Sequence, residues 1–397
     1  MANAQLAISY DTIKIDKHEI TQSLLDIEEK KRSNLFAWNG QFSPQFIEAL
    51  LEQYAESDYT VADPFLGSGT VLYECARKNI SAIGSELNPS AYFMSKIYEL
   101  CKLDNNQRME LIQAVNEKLK ASLRKPDPLD SLFNITKEDD SLLIRDVVSL
   151  IVVLLDLFNN QFSRRLLVDK WEKLSNIITF LPYTSSKVDA ILGDARRLNI
   201  NDNEIDLIIT SPPYINVFNY HQKYRRSVES LGYNVLKIAK KEIGANRKNR
   251  GNRYLTVIEY CIDMSLAIKE MMRVAKPDAR IILVVGRESN VLSTAFSNSE
   301  LIYGLAHGVH GLSLIIKQQR VFKNRFGQMI YEDILHFANN KSNYNILSDE
   351  KLIESSRIVA IRALQEKLNF FDATNKNYPL LKSAIYNAQS VSASEGR

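Results

Sequence analysis

Short runs of β-branched and apolar residues alternate along this chain with longer stretches whose apolar positions recur at helical spacing. That alternation predicts a sheet flanked by helices. Tyr59-Thr60-Val61-Ala62 is the first strand, followed by a helix over 71–78. Ile80 to Glu86 is the second, and Asn88-Pro89 opens the next helix. Val188 to Leu192, Ile205 to Ile209 and Arg280 to Gly286 supply three more strands, with a long helix over 255–274 before the last of them. Leu312 to Phe322 and Met329 to Phe337, joined through Asn324-Arg325-Phe326-Gly327, predict a closing hairpin.

Four stretches lie beside this pattern. Residues 1–32 form a polar N-terminal extension with room for a strand and a helix. Ser43 and Pro44 read as a helix start, a capping hydroxyl followed by proline at the first helical position, with Phe46, Ile47, Leu50 and Leu51 as the apolar face. Residues 101–187 contain no glycine and are helical throughout, over 106–123, 141–158 and 161–180, with a break at Lys125-Pro126-Asp127-Pro128. This predicts an inserted helical subdomain that splits the sheet domain into 33–100 and 188–340. Residues 341–397 predict one helix over 351–368 and a disordered Ser/Ala/Glu/Gly end.

Composition narrows the picture only slightly. The 397 residues are 45% hydrophobic, and 50 basic residues nearly cancel 47 acidic ones, leaving a net charge of +3. The excess is local. Between Asn216 and Arg253 ten basic residues face two acids, a net +8, with Tyr220, Tyr224 and Tyr233 interleaved. Such a stretch suits a polyanion, and Gly244 to Asn252 reads as a mobile loop that orders on a phosphate backbone. Cys75, Cys101 and Cys261 are far apart, so no metal site is expected and a reducing cytoplasm is the natural compartment. The longest apolar run, Val147 to Phe158, is too short for a bilayer and reads as a buried helix. No N-terminal signal segment is expected, nor any membrane association.

Chemistry gathers at the predicted strand ends. Asp63-Pro64-Phe65-Leu66-Gly67-Ser68-Gly69-Thr70 is a glycine loop between strand and helix, the arrangement that brings a ligand onto backbone amides. Glu86 ends the second strand, placed either to accept from both hydroxyls of a ribose or to cap the following helix. Asp194 is a second strand-end acid, able to accept from an exocyclic amine or to cap a turn. Thr210-Ser211-Pro212-Pro213-Tyr214 follows the fourth strand as a stiff corner presenting a hydroxyl, carbonyls and an aromatic ring.

The ordered combination of glycine loop, strand-tip acid, second acid and proline corner resembles the S-adenosylmethionine-dependent DNA amino-methyltransferases, the cytosine-N4 and adenine-N6 enzymes. The resemblance spans roughly 33–100 and 188–337. It implies a Rossmann-like seven-stranded sheet ending in an antiparallel hairpin. It further implies S-adenosylmethionine held by Phe42, Ser43, Asp63, Phe65, Gly67, Ser68, Gly69, Thr70, Glu86 and Asp194, and catalysis at Ser211, Pro212, Pro213 and Tyr214. The segment from Asn39 to Ser43 resembles the motif that closes over the cofactor's methionine end. Double-stranded DNA is the implied partner, with Tyr220, Lys223, Arg225, Arg226, Arg247, Lys248, Arg250 and Arg253 as its contacts, and a cognate restriction endonuclease fits the same context. Serine at 211 favours cytosine N4, because the adenine enzymes usually place Asp there. Adenine-N6 methylation stays open as the alternative. An RNA guanine-N2 enzyme and a catalytically silent nucleic-acid-binding relative are weaker ones, since RNA enzymes of that kind carry a further N-terminal domain and the proline corner is intact.

Overall fold

A computed structural model describes residues 10–215, 219–245, 249–323, 327–340 and 347–394. In chain order the strands are β1 (Thr60–Asp63), β2 (Ser81–Glu86), β3 (Val188–Leu192), β4 (Ile205–Thr210), β5 (Ala275–Gly286), β6 (Glu288–Val291), β7 (Thr294–Ser297), β8 (Ser313–Lys323) and β9 (Met329–Ala338). The α-helices are α1 (Gln22–Asp26), α2 (Pro44–Tyr54), α3 (Thr70–Arg77), α4 (Pro89–Lys96), α5 (Asn105–Leu123), α6 (Pro128–Glu138), α7 (Leu142–Leu155), α8 (Arg164–Thr179), α9 (Arg225–Ser230), α10 (Val235–Lys241), α11 (Leu255–Val274), α12 (Asn298–Tyr303), α13 (Asp349–Asn369) and α14 (Tyr378–Tyr386).

Seven strands form one sheet in the order β3-β2-β1-β4-β5-β9-β8. The first five run parallel, and β9 is antiparallel to both β5 and β8. Because side chains alternate across a strand, β5 feeds two cores at once. Ile282 and Val284 join the layer built by α2, α3, α4 and the helices over 105–179. Ile281, Leu283 and Val285 join the layer of α11, α12, α13 and α14. Burial on both faces explains why the strands read as continuous apolar runs.

Several details depart from expectation. The inserted helices share one continuous hydrophobic core with the sheet. The break at Lys125–Pro128 is the start of a further helix, α6, with Asp127 accepting from the Asp130 amide and proline in the first turn. The run expected to stay helical to Phe158 stops at Leu155, where Asp156 turns left-handed (φ 48°). The C-terminal segment is described as far as residue 394: α14 carries Pro379 in its first turn, and Val391 and Ser394 are buried. Ser394 is captured by the buried Arg196 and Asp263, and this anchors a stretch that looks disordered by composition alone. A small ribbon, β6 with β7, had no sequence signal, because its turn residues Leu292 and Ser293 adopt positive φ without being glycine or asparagine. Among the described residues no helix is long and apolar enough to cross a membrane.

Candidate active site

One cleft opens at the carboxyl ends of β1, β2, β3 and β4. Its floor is the loop after β1. Gly67 (φ 55°) and Gly69 (φ 87°) are both left-handed, and a Cβ on Gly69 would strike the Tyr98 ring and Ser95 at 2.7–2.8 Å. Glycine is therefore required there by space as well as by backbone angle. Glu86, at the tip of β2, accepts from the Gly67 amide (2.7 Å) and the Asn88 amide (2.7 Å). The carboxylate thus cross-links loop and strand. Burial pushes its pKa up to about 7, against the pull of those two amides.

Asp63 plays a different part from the one expected. It does not line the cleft. Buried at the end of β1, it accepts from the Phe65 amide (3.1 Å) and from the Thr210 hydroxyl (2.6 Å). It therefore ties the glycine loop to the residue immediately before Ser211, and burial raises it to about 7. Ser68 and Gly69 also sit beneath the surface. The Ser68 hydroxyl donates to Gln41 (2.7 Å), which fixes the segment closing over the loop. Ser43 takes the N-cap backbone geometry of α2, yet its hydroxyl makes no capping bond and is buried without a partner, away from the cleft. Phe42, Phe65, Gly67, Thr70, Glu86 and Asp194 do line it.

Asp194 is engaged. Arg196 donates to both its oxygens (2.9 and 2.6 Å), and the same guanidinium reaches Asp263 (2.8 Å) and the Lys241 carbonyl (2.8 Å). After burial, which opposes it, the bonds to Asp194 and Asp263 dominate and hold Arg196 firmly charged.

The proline corner forms the far wall. Ser211 Oγ lies 3.4 Å from the Tyr214 hydroxyl, which donates to Glu332 on β9 (3.2 Å), and Glu332 accepts from Arg320 on β8 (2.6 Å). Desolvation and the Glu332 charge raise the Tyr214 phenol well above its ordinary value, so it remains a donor. The Tyr214 ring packs on Gly286, where any Cβ would meet it at 2.7 Å. Neither Glu332 nor Arg320 could be foreseen, because the hairpin brings them in from more than a hundred residues away.

Trp38 and Tyr220 stack over the cleft, with ring centroids 5.9 Å apart at 17°. Lys223 sits over Trp38 (5.1 Å) and donates to the Ala37 carbonyl (3.1 Å). Of the expected polyanion contacts, Tyr220 and Lys223 therefore build the roof of the cleft. Arg225 pairs with Glu229 (2.9 Å) on α9. Arg226 and Arg250 are exposed and Arg253 is half-buried, whereas Arg247 and Lys248 lie outside the described residues. The loop expected to be mobile is pinned where it is described. Gly244 packs on the Tyr214 backbone, Asn249 donates to Glu259 (2.6 Å), and Asn252 donates to the Leu380 carbonyl (2.7 Å).

S-adenosylmethionine, which the motifs implied, fits the chemistry of this lining: a carboxylate acceptor at Glu86, apolar walls at Phe65, Leu87 and Ile243, and close backbone at Gly67. Strand order, lone antiparallel strand and cleft position together define the sheet of the S-adenosylmethionine-dependent methyltransferase fold. Within that class, residues 8–96 match the N6/N4-type DNA methylase family, a stretch that holds the glycine loop and Glu86 but ends before the proline corner. The type II methyltransferase M.MjaII of Methanocaldococcus jannaschii is 29% identical over 85 residues, 19% of this chain and 16% of that one. The type II methyltransferase M.AvaI of a Nostoc species is 23% identical over 288 residues, 55% of this chain and 58% of that one. The chain thus spans about a sixth and somewhat over half of these relatives' lengths. A solved S-adenosylmethionine-dependent methyltransferase of Methanosarcina mazei aligns at TM-score 0.35 and 14% identity, over 73% of this chain and 96% of its own.

Proposed function

We propose that the protein transfers a methyl group from S-adenosylmethionine to the exocyclic N4 of a cytosine in duplex DNA, in a restriction-modification or similar setting. The observation that carries this reading is the hydrogen-bonded series ending at Ser211. Arg320 donates to Glu332, and Tyr214 donates to Glu332 as well. With the phenol proton given to Glu332, Ser211 can act only as donor in its 3.4 Å contact with Tyr214, so the oxygen of this cleft-lining serine keeps its acceptor capacity.

An exocyclic base amine is a poor nucleophile because its lone pair is delocalised into the ring. Acceptors for its two hydrogens favour a pyramidal nitrogen and return density to it. Ser211 Oγ and the Pro212 carbonyl are those acceptors, and the two prolines fix them before the reaction begins. When bound, S-adenosylmethionine supplies an electrophilic methyl on sulfur. Transfer to the amine held by Ser211 and Pro212 would release S-adenosylhomocysteine, and the surplus proton would pass from the nitrogen to water. The base must leave the helix to reach this corner. Tyr214 is its stacking surface, and the exposed Arg226 and Arg250 are the contacts to the DNA phosphates.

The test is incubation of unmethylated DNA with isotopically labelled S-adenosylmethionine, followed by mass spectrometry of the digested nucleosides. N4-methylcytosine is expected. Labelled N6-methyladenine would reassign the base, and no labelled nucleoside at all would overturn the reading. Ser211→Ala should lower turnover by about 10²-fold while leaving cofactor binding intact.

A further inference from the structure

Both Asp194 oxygens already accept from Arg196. Another carboxylate in the same cleft has an oxygen with no partner. Glu242 follows the last residue of α10, where the backbone leaves the helix (φ −59°, ψ 125°) and turns Lys241, Glu242 and Ile243 toward the opening. Its side chain is 9% exposed. His221, itself fully buried, holds Oε2 through Nδ1 at 2.8 Å, while Oε1 is enclosed and has no hydrogen-bond partner. An enclosed carboxylate oxygen calls for a donor. None of the described side chains provides one, and a donor entering the cleft that Glu242 lines would satisfy it.

The position says which part of the ligand that is. Glu242 lies near enough to Glu86 for the two charges to repel, and Tyr220 feels both. Both carboxylates line the one cleft together with Leu87, Asn88, Gly193 and Asp194 at the ends of β2 and β3. An adenosine offers three donors there, the two ribose hydroxyls and the adenine amine.

Resting on the methyltransferase reading above, we propose that Glu242 is a further cofactor-binding residue. Its free Oε1 accepts a hydrogen bond from the adenosine part of S-adenosylmethionine, and His221 is the positioning residue that aims it. The pair forms only when the segment between β4 and β5 folds over the sheet, since His221 and Glu242 are 21 residues apart. Residues 219–243 thereby complete the pocket as well as carrying basic charge.

Calorimetric titration of S-adenosylhomocysteine into the full chain tests this. Glu242→Ala should weaken binding about tenfold or more, the cost of losing a charge-assisted hydrogen bond. A thermodynamic cycle assigns the donor. Analogues of S-adenosylhomocysteine lacking the adenine amine, the 2′-hydroxyl or the 3′-hydroxyl are titrated into both proteins. One of the three should bind more weakly than the parent to the wild type but equally to the variant. Unchanged affinity in a folded Glu242→Ala protein, or three analogues that lose as much on the variant as on the wild type, would overturn the proposal. If the alanine variant does not fold, Glu242→Gln keeps the shape and removes the charge. It should weaken binding several-fold, and wild-type affinity in that variant would equally overturn the proposal. A wild-type chain that binds no S-adenosylhomocysteine removes the methyltransferase reading itself, and this inference with it.

Discussion

Glu86 carries more than one duty. It holds the Gly67 and Asn88 amides and, on the proposed reading, receives the ribose as well. Raised to about 7, it is largely protonated below that pH and ionised above it. Hydroxyl donors favour the ionised form, so S-adenosylmethionine affinity should rise between about pH 6 and 8, with a proton released on binding. Glu86→Gln should flatten that slope in calorimetry. Stability runs the other way. A carboxyl raised in the folded state stabilises the ligand-free chain at low pH, and that contribution fades as pH climbs from about 4.5 to about 7. Glu86, Gly67 and Ser211 were legible in sequence because glycine and proline constrain the backbone locally. Glu242, Glu332 and Arg320 were not, because each gains its meaning from a partner on another element. Asp63 was legible as important, while its bond to Thr210, 147 positions onward, could not be read from the sequence.

Among elements, strands were read most faithfully. Burial on both faces of the sheet writes apolar runs into the central strands β1, β4 and β5, while the edge strand β3 is half exposed. The helix over 255–274 was read to the residue for a related reason, since a long apolar stripe leaves little ambiguity. Short elements were missed where the turn chemistry was unusual, as at Leu292 and Ser293, or where proline was taken as an end rather than a beginning, as at Pro128. The edge between β5 and the proline corner is a close contact in the site. Gly286→Ala would place a methyl 2.7–3.2 Å from three atoms of the Tyr214 ring, so that ring must move. Turnover should then fall by about 10²-fold, while S-adenosylhomocysteine affinity, which the proposed site assigns to the ends of β1 and β2 and to Glu242, stays within about twofold. A loss of both in a folded variant would show that the two halves of the cleft are not separable.

At the scale of the molecule, a nearly neutral chain concentrates its basic excess in one segment, and the structure sorts that segment into two populations. Lys223 and Arg225 are spent on internal partners, while Arg226 and Arg250 remain exposed. Composition could not make that division. If the exposed pair meets phosphates, Arg226→Ala with Arg250→Ala should weaken DNA binding and lower the slope of log K against log salt by about one per contact. Substituting Arg225 should change it less. The stacked roof has a consequence of another kind. The chain has two tryptophans. Trp171 is sealed in α8, whereas Trp38 lies face to face with Tyr220 at the mouth of the cleft. Part of the protein's ultraviolet emission therefore originates where a ligand would enter, and the fold carries a native optical reporter of its own occupancy.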